Sequence, residues 1–223
     1  MFKAIDGPIT PEQQLALDRL IERYRHPTYV HIRAKGISPE DAEDLVQEFF
    51  TNWLHRGLFG KADMIRGRFR NYLLTSLNNF IKNSFRNKHA QRRWPAGGFS
   101  EEEIDRVADI DSPAEEFSRA FNSEMTRAVL ALLEEECKRN GKQAHYSIFQ
   151  RRIVEPALDG AETPPMKLLA GEFQMTEKQA ANCLGTMKRA YRRLMESQIL
   201  EYAASDEDVR QELHDLMGHL HIT

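Results

Sequence analysis

Between Asp63 and Glu101 the chain has no acidic residue and eight lysines and arginines: Arg66, Arg68, Arg70, Lys82, Arg86, Lys88, Arg92 and Arg93. Cations gathered in this way suit a polyanion, because each phosphate they neutralise releases condensed counterions. Asn71, Asn78 and Asn79 lie in the same run, and an amide both donates and accepts, as base edges require. Solvated faces usually mix charges of both signs, so the complete exclusion of acid points to a ligand. A second polar group, Lys178, Gln179 and Asn182, precedes Lys188, Arg189, Arg192 and Arg193. There the first three are candidates for base edges and the later cations for phosphates. A third group is acidic: Glu40, Asp41, Glu43, Asp44 and Glu48, with Gln47 among them. The helix dipole accounts for acid in a first turn, but Asp44 and Glu48 lie beyond it and suit a basic partner surface.

Composition removes other classes. The formal net charge is -3, so nucleic-acid binding must rest on local patches. Cys137 and Cys183 have no metal-ligand spacing around them and read as free thiols in a reducing cytoplasm. His26, His31, His55, His89 and His145 are scattered, without the spacing of a metal site or a nucleophile–base pair. His214, His219 and His221 read as surface histidines. The expectation is therefore a protein that is not an enzyme, with no cofactor and no metal. No apolar run reaches the length of a membrane span and no secretory signal is recognised, so a cytoplasmic location with no membrane partner is expected.

The elements that must position these groups read as helices throughout. Thr10-Pro11-Glu12 opens the first, with a capping threonine and proline at the first helical position. Pro27 is expected to kink or end it. Ser38-Pro39-Glu40-Asp41 opens the next, with Leu45, Val46, Phe49, Phe50, Trp53 and Leu54 at helical period. The basic stretch is a third amphipathic helix, its stripe formed by Phe69, Tyr72, Leu73, Leu77, Phe80, Ile81 and Phe85. After Trp94-Pro95 come eight acidic residues from Glu101 to Glu116 against Arg106, which mark a linker. A long helix is expected from Phe117 to about Asn140, with Phe121, Met125, Val129, Leu132 and Leu133 inward. Another is expected from His145 or Tyr146 to Ala157. Met166–Phe173, followed by a helix capped by Thr176, has the spacing of a helix-turn-helix. A last amphipathic helix covers 206–220. The fold class is all-α: two helical domains joined by an acidic linker, the second containing the helix-turn-helix. The expected boundaries are 1–94, a linker at 95–117, 118–202, and a C-terminal extension at 203–223.

This order of parts resembles a bacterial RNA polymerase sigma factor of the extracytoplasmic-function type, within the sigma-70-like family. Asp41 to Trp53, DAEDLVQEFFTNW, resembles the helix of that family's first conserved domain that docks on the polymerase clamp. Gly67 to Arg93 resembles the part that melts and reads the minus-ten element, close to a subgroup in which it reads GRFRSFLLTAL. Thr176 to Met195 resembles the helix that reads the minus-thirty-five element, and Ser205 to Met217 matches a helical extension of that subgroup. The resemblance implies polymerase binding through Asp41, Asp44, Leu45, Gln47 and Glu48. It implies minus-ten contacts from Arg66, Arg68, Arg70, Asn71, Asn78, Asn79, Lys82, Arg86, Lys88, Arg92 and Arg93. Lys178, Gln179, Asn182, Thr186, Lys188 and Arg189 would face the minus-thirty-five element. The implied partners are core RNA polymerase and promoter DNA, double- and single-stranded, with an anti-sigma factor as a further one. The implied function is promoter recognition, DNA melting and transcription initiation.

The chain departs from the family pattern in its last domain. Ala181 stands where a basic residue is usual, and Gly185-Thr186 where a His-Arg pair is usual. A helical regulator that binds DNA and never contacts polymerase is the competing reading, and the acidic-aromatic helix, which such a regulator does not need, separates the two.

Overall fold

The computed structural model describes residues 10–55, 69–90, 112–203, 205–220 and 222. Every regular element among them is helical: α1 Pro11–Ala34, α2 Pro39–His55, α3 Phe69–Ala90, α4 Ser112–Arg139, α5 Gln143–Phe149, α6 Glu155–Asp159, α7 Met166–Glu172, α8 Glu177–Leu200 and α9 Asp206–His219. A π-helical segment, Gln150–Val154, joins α5 to α6. Pro156 follows that widened turn and has no N–H to offer the preceding ladder. Two compact units emerge. One comprises α1–α3, α4 as far as Phe121, and Tyr202; the other begins at Asn122, runs to Glu201 and resumes at Ser205.

In the first unit α1 continues through Pro27 to Ala34, so the proline does not end it. Side chains on both sides of the proline, Leu20, Tyr24, His31 and Ile32, are buried, and that burial carries the helix past it. Gly36, at φ +82°, then ends α1 in the left-handed conformation that glycine adopts at least cost. Ser38 caps α2: its hydroxyl accepts from the Asp41 N–H at 3.2 Å and donates to the Asp41 carboxylate at 2.7 Å. Leu45, Phe49 and Trp53 of α2 are buried, as are Leu73, Leu77, Ile81 and Phe85 of α3. Burying a side chain of this kind contributes about 1.5–3 kcal/mol. The aromatic centre is Tyr24, stacked on Phe121 at 4.8 Å and 22° and edge-on to Phe69 at 5.4 Å.

That packing explains where α4 starts. The helix expected from Phe117 begins at Ser112, and Phe117 and Phe121 are fully buried in the first unit. The last residues of the expected linker are therefore helical, while 95–111 lie outside the described residues. Leu132, expected inward, is 43% exposed.

The second unit is built on α8, whose buried line is Ala180, Cys183, Met187, Tyr191, Met195 and Ile199. Tyr191 meets Phe149 of α5 at 5.8 Å, and a subsidiary core joins Ile148, Leu169, Ala170, Ala180 and Cys183. Helix α9 is capped by Ser205, which accepts from the Asp208 N–H at 3.2 Å, and it packs on α8 with Leu213, Leu216 and Met217 buried.

Candidate nucleic-acid interface

The apolar stripe of α3 fixes which of its polar residues reach solvent. With Leu73, Leu77, Ile81 and Phe85 buried, Asn71, Asn79, Asn83 and Arg86 are exposed and Lys82 is half-buried. Two expected contacts are used inside the fold. Arg70 is 5% exposed, with its guanidinium carbon 4.4 Å from the centroid of the Phe121 ring. Asn78 is half-buried, its Oδ1 2.9 Å from Nε2 of the buried His31. Arg66, Arg68, Arg92 and Arg93 lie outside the described residues, as does the side chain of Lys88.

Beside the exposed edge of α3 is a cleft shared with α2, of about 360 Å³. Asn52, Ser76, Asn79 and Asn83 line it together with Trp53, Tyr72 and Phe80, and Glu48 stands at its margin. Trp53 and Tyr72 are 5.8 Å apart and tilted by 32°. Trp53 is buried behind this wall, and the half-buried rings of Tyr72 and Phe80 give a planar ring something to stack on, while amides with a hydroxyl supply donors and acceptors for its edge. Tyr72, Asn79 and Asn83 belong to the basic stretch that stands out in the sequence alone, whereas Asn52 and Ser76 do not. Ser76, Asn79 and Asn83 recur at three- and four-residue spacing, and that is the signal which marks one helical face.

On α2, Asp44, Gln47 and Glu48 are exposed and Asp41 is half-buried. Leu45, expected to join them at the polymerase, is 2% exposed and belongs to the core. The Asp41 carboxylate is held by the Ser38 cap, whereas Asp44 and Glu48, four residues apart, share one surface.

In the second unit, α7 and α8 are separated by a tight turn in which Gln174 takes a φ of +53°. Thr176 caps α8 in a reciprocal box: the Gln179 N–H donates to the Thr176 hydroxyl at 3.2 Å, and the Thr176 N–H donates to Gln179 Oε1 at 2.8 Å. Gln179, expected at a base edge, thus has its carbonyl engaged in the cap. Lys178, Asn182 and Arg189 are exposed, with Thr186 and Lys188 half-exposed. Lys178, Asn182, Thr186 and Arg189 follow helical spacing along one face. Arg193 is bound to Glu136 by two hydrogen bonds, 2.7 and 2.9 Å.

The two cysteines are free and buried. Burial pushes the Cys137 thiol up, with Glu136 adding to the effect, and burial also raises Cys183. Thiols held protonated in this way are poor nucleophiles. Among the described residues no group of three His, Cys, Asp or Glu side chains lies together as a metal site, and no helix is long and apolar enough to cross a membrane.

Residues 20–91, which span α1 from Leu20, α2 and α3, match the family model described as Sigma-70 region 2. No curated protein and no solved structure matches the chain.

Proposed function

We propose that the chain, whose residues 20–91 match Sigma-70 region 2, is a sigma-70-family initiation factor of the extracytoplasmic-function type, with a role in promoter recognition and polymerase binding. In this reading Asp44, Gln47 and Glu48 dock α2 on a basic surface of core RNA polymerase, with Asp41 at the capped end of the same helix. Asn71, Lys82 and Arg86 hold the non-template strand along α3, joined by Arg66, Arg68, Lys88, Arg92 and Arg93.

A base leaving the stack would enter the cleft between α2 and α3, stack on its aromatic wall and hydrogen-bond to Asn79 and its neighbours. Extruding a base costs a few kcal/mol, and stacking on an aromatic side chain returns about 1–3 kcal/mol per base. The two are of similar size, so capture by binding supports strand opening without a nucleotide-hydrolysing step. Helices α7 and α8 would read duplex upstream as a helix-turn-helix, through Lys178, Asn182, Thr186, Lys188 and Arg189. The acidic stretch before α4 would pass through the polymerase interior in the place of RNA.

The observation that carries this reading is the aromatic and amide cleft lying beside the exposed polar edge of α3. Filling it tests the reading. With holoenzyme on a promoter carrying 2-aminopurine in the melted segment, Asn83→Leu combined with Ser76→Leu is expected to suppress the fluorescence rise on opening while polymerase binding persists. An undiminished rise would place strand capture elsewhere.

A further inference from the structure

The exposed face of α8 that carries Asn182, Thr186 and Arg189 is flanked by a cavity to which another element brings a further cation. The cavity, about 270 Å³, lies between the α4–α5 turn and the middle of α8; its polar lining includes Glu136, Asn140, Lys142, Thr186, Arg189 and Arg193.

Three of these are cations and one is a carboxylate, and the carboxylate of Glu136 is already matched by the two hydrogen bonds from Arg193. Lys142 and Arg189 remain to face an incoming anion, with Asn140 and Thr186 as neutral donors. Arg189 donates to the Thr186 hydroxyl at 3.3 Å, which sets its guanidinium over the same wall.

The backbone under Lys142 is fixed. Gly141, at φ +66°, ends α4, the Lys142 N–H donates to the Cys137 carbonyl at 2.8 Å, and the Lys142 carbonyl accepts from Tyr146 at 3.1 Å. Lys142 thus closes one helix and opens the next, so its side chain starts from a rigid point.

We propose that this cavity is a seat for one phosphate of the duplex DNA backbone, in which Lys142 and Arg189 neutralise the charge and Asn140 and Thr186 hydrogen-bond to its oxygens. The seat rests on the reading of α8 as a duplex-binding helix and adds to it a grip from outside the helix-turn-helix. It adds a cation from the α4–α5 turn to those that α8 carries, and because it holds a phosphate it fixes the register of α8 without reading sequence.

The test uses the full-length chain in holoenzyme bound to duplex promoter DNA, with affinity measured against salt concentration for the wild type, Lys142→Gln, and Lys178→Gln on the reading face. Each duplex phosphate that is no longer neutralised lowers the slope of log K against log salt by about 0.9. Lys142→Gln is expected to lower it by that amount, to weaken all promoter sequences alike and to leave sequence preference intact. If Lys142→Gln leaves the slope unchanged while Lys178→Gln alters binding, the seat is wrong and the reading of α8 stands. If neither variant changes duplex binding, α8 is not the duplex-binding helix and the seat falls with it. Lys142→Arg, which retains the charge, should restore the wild-type slope; failure to do so when Lys142→Gln has lowered it would assign the loss to a disturbed turn and overturn the proposal.

Discussion

The guanidinium of Arg70 lies over the ring of Phe121, 4.4 Å from its centroid, with both residues buried. A charge in the run that marks the chain as a polyanion binder is thus used to pack the start of α3 against α4. A desolvated cation on an aromatic face is worth about 2 kcal/mol. Arg70→Ala should therefore lower unfolding stability by roughly that amount in denaturant titration, with little effect on the salt dependence of single-strand binding. Arg86→Gln, at an exposed position of the same helix, should do the reverse, lowering the slope by about 0.7 for each single-strand phosphate it leaves unneutralised. A large slope change from Arg70→Ala with unchanged stability would contradict the assignment.

Asn78 and Asn79 are adjacent but have different work. Asn78 is tied to His31 at 2.9 Å, and Asn79 lines the cleft. Removing one partner of a buried hydrogen bond costs about 1–3 kcal/mol, so Asn78→Ala should be destabilising on that scale. Asn79→Ala should leave stability within about 0.5 kcal/mol and weaken strand capture. Chemical denaturation and strand-binding measurements on the pair decide the matter, and equal effects of the two on stability would count against it.

Gly185 sits inside α8, and a Cβ built there meets only Arg189 Nη1, at 3.6 Å, an ordinary van der Waals distance. Alanine is favoured over glycine in a helix interior by about 1 kcal/mol. Gly185→Ala should accordingly raise the stability of the second unit by about that amount, seen as a higher denaturant midpoint. A fall in stability would mean that the glycine serves a close approach made in another conformation.

Tyr191 is fully buried, and burial pushes its phenol from the ordinary 10 up to about 12, the Thr126 hydroxyl working in the opposite direction. The folded state therefore holds the proton more tightly than the unfolded one. The associated stability is complete below pH 10 and is lost as pH rises from 10 towards 12, by at most about 3 kcal/mol. Tyr191→Phe should flatten the fall in stability across that window, measured by denaturation at successive pH values. An unchanged fall would show that other groups govern the alkaline limb.

Much of this arrangement is legible in the sequence. The spacing of Leu73, Leu77, Ile81 and Phe85 sets the buried side of α3, and Ser38 and Thr176 mark their helix starts through local capping chemistry. What escapes is set by long-range packing. Pro27 reads locally as a break, yet Tyr24 and Ile32 on either side are held by other elements, so α1 passes through it. The start of α4 at Ser112 depends on Phe117 and Phe121 finding Tyr24, nearly a hundred residues earlier in the chain for each of them. Arg70 and Asn78 have the chemistry of nucleic-acid contacts, and only their surroundings show that the one is stacked on Phe121 and the other bonded to His31. Leu45 belongs to the motif that resembles a polymerase-docking helix, but helical period turns it to the core and leaves Asp44 and Glu48 outside.

Through those two carboxylates, in the function proposed, α2 joins the chain to core RNA polymerase. The measurement that tests it most directly is the affinity of the purified full-length protein for core RNA polymerase, wild type against Asp44→Lys combined with Glu48→Lys, with run-off transcription on genomic fragments from the same preparations. Both substitutions are at exposed positions, so the fold should persist by circular dichroism. Tight binding and discrete start sites are expected for the wild type, and at least a hundredfold weaker binding with no transcripts for the double variant, a loss of about 3 kcal/mol. A wild-type protein that shifts duplex DNA yet leaves core polymerase unbound, or a double variant that binds as well as the wild type, would contradict docking through α2.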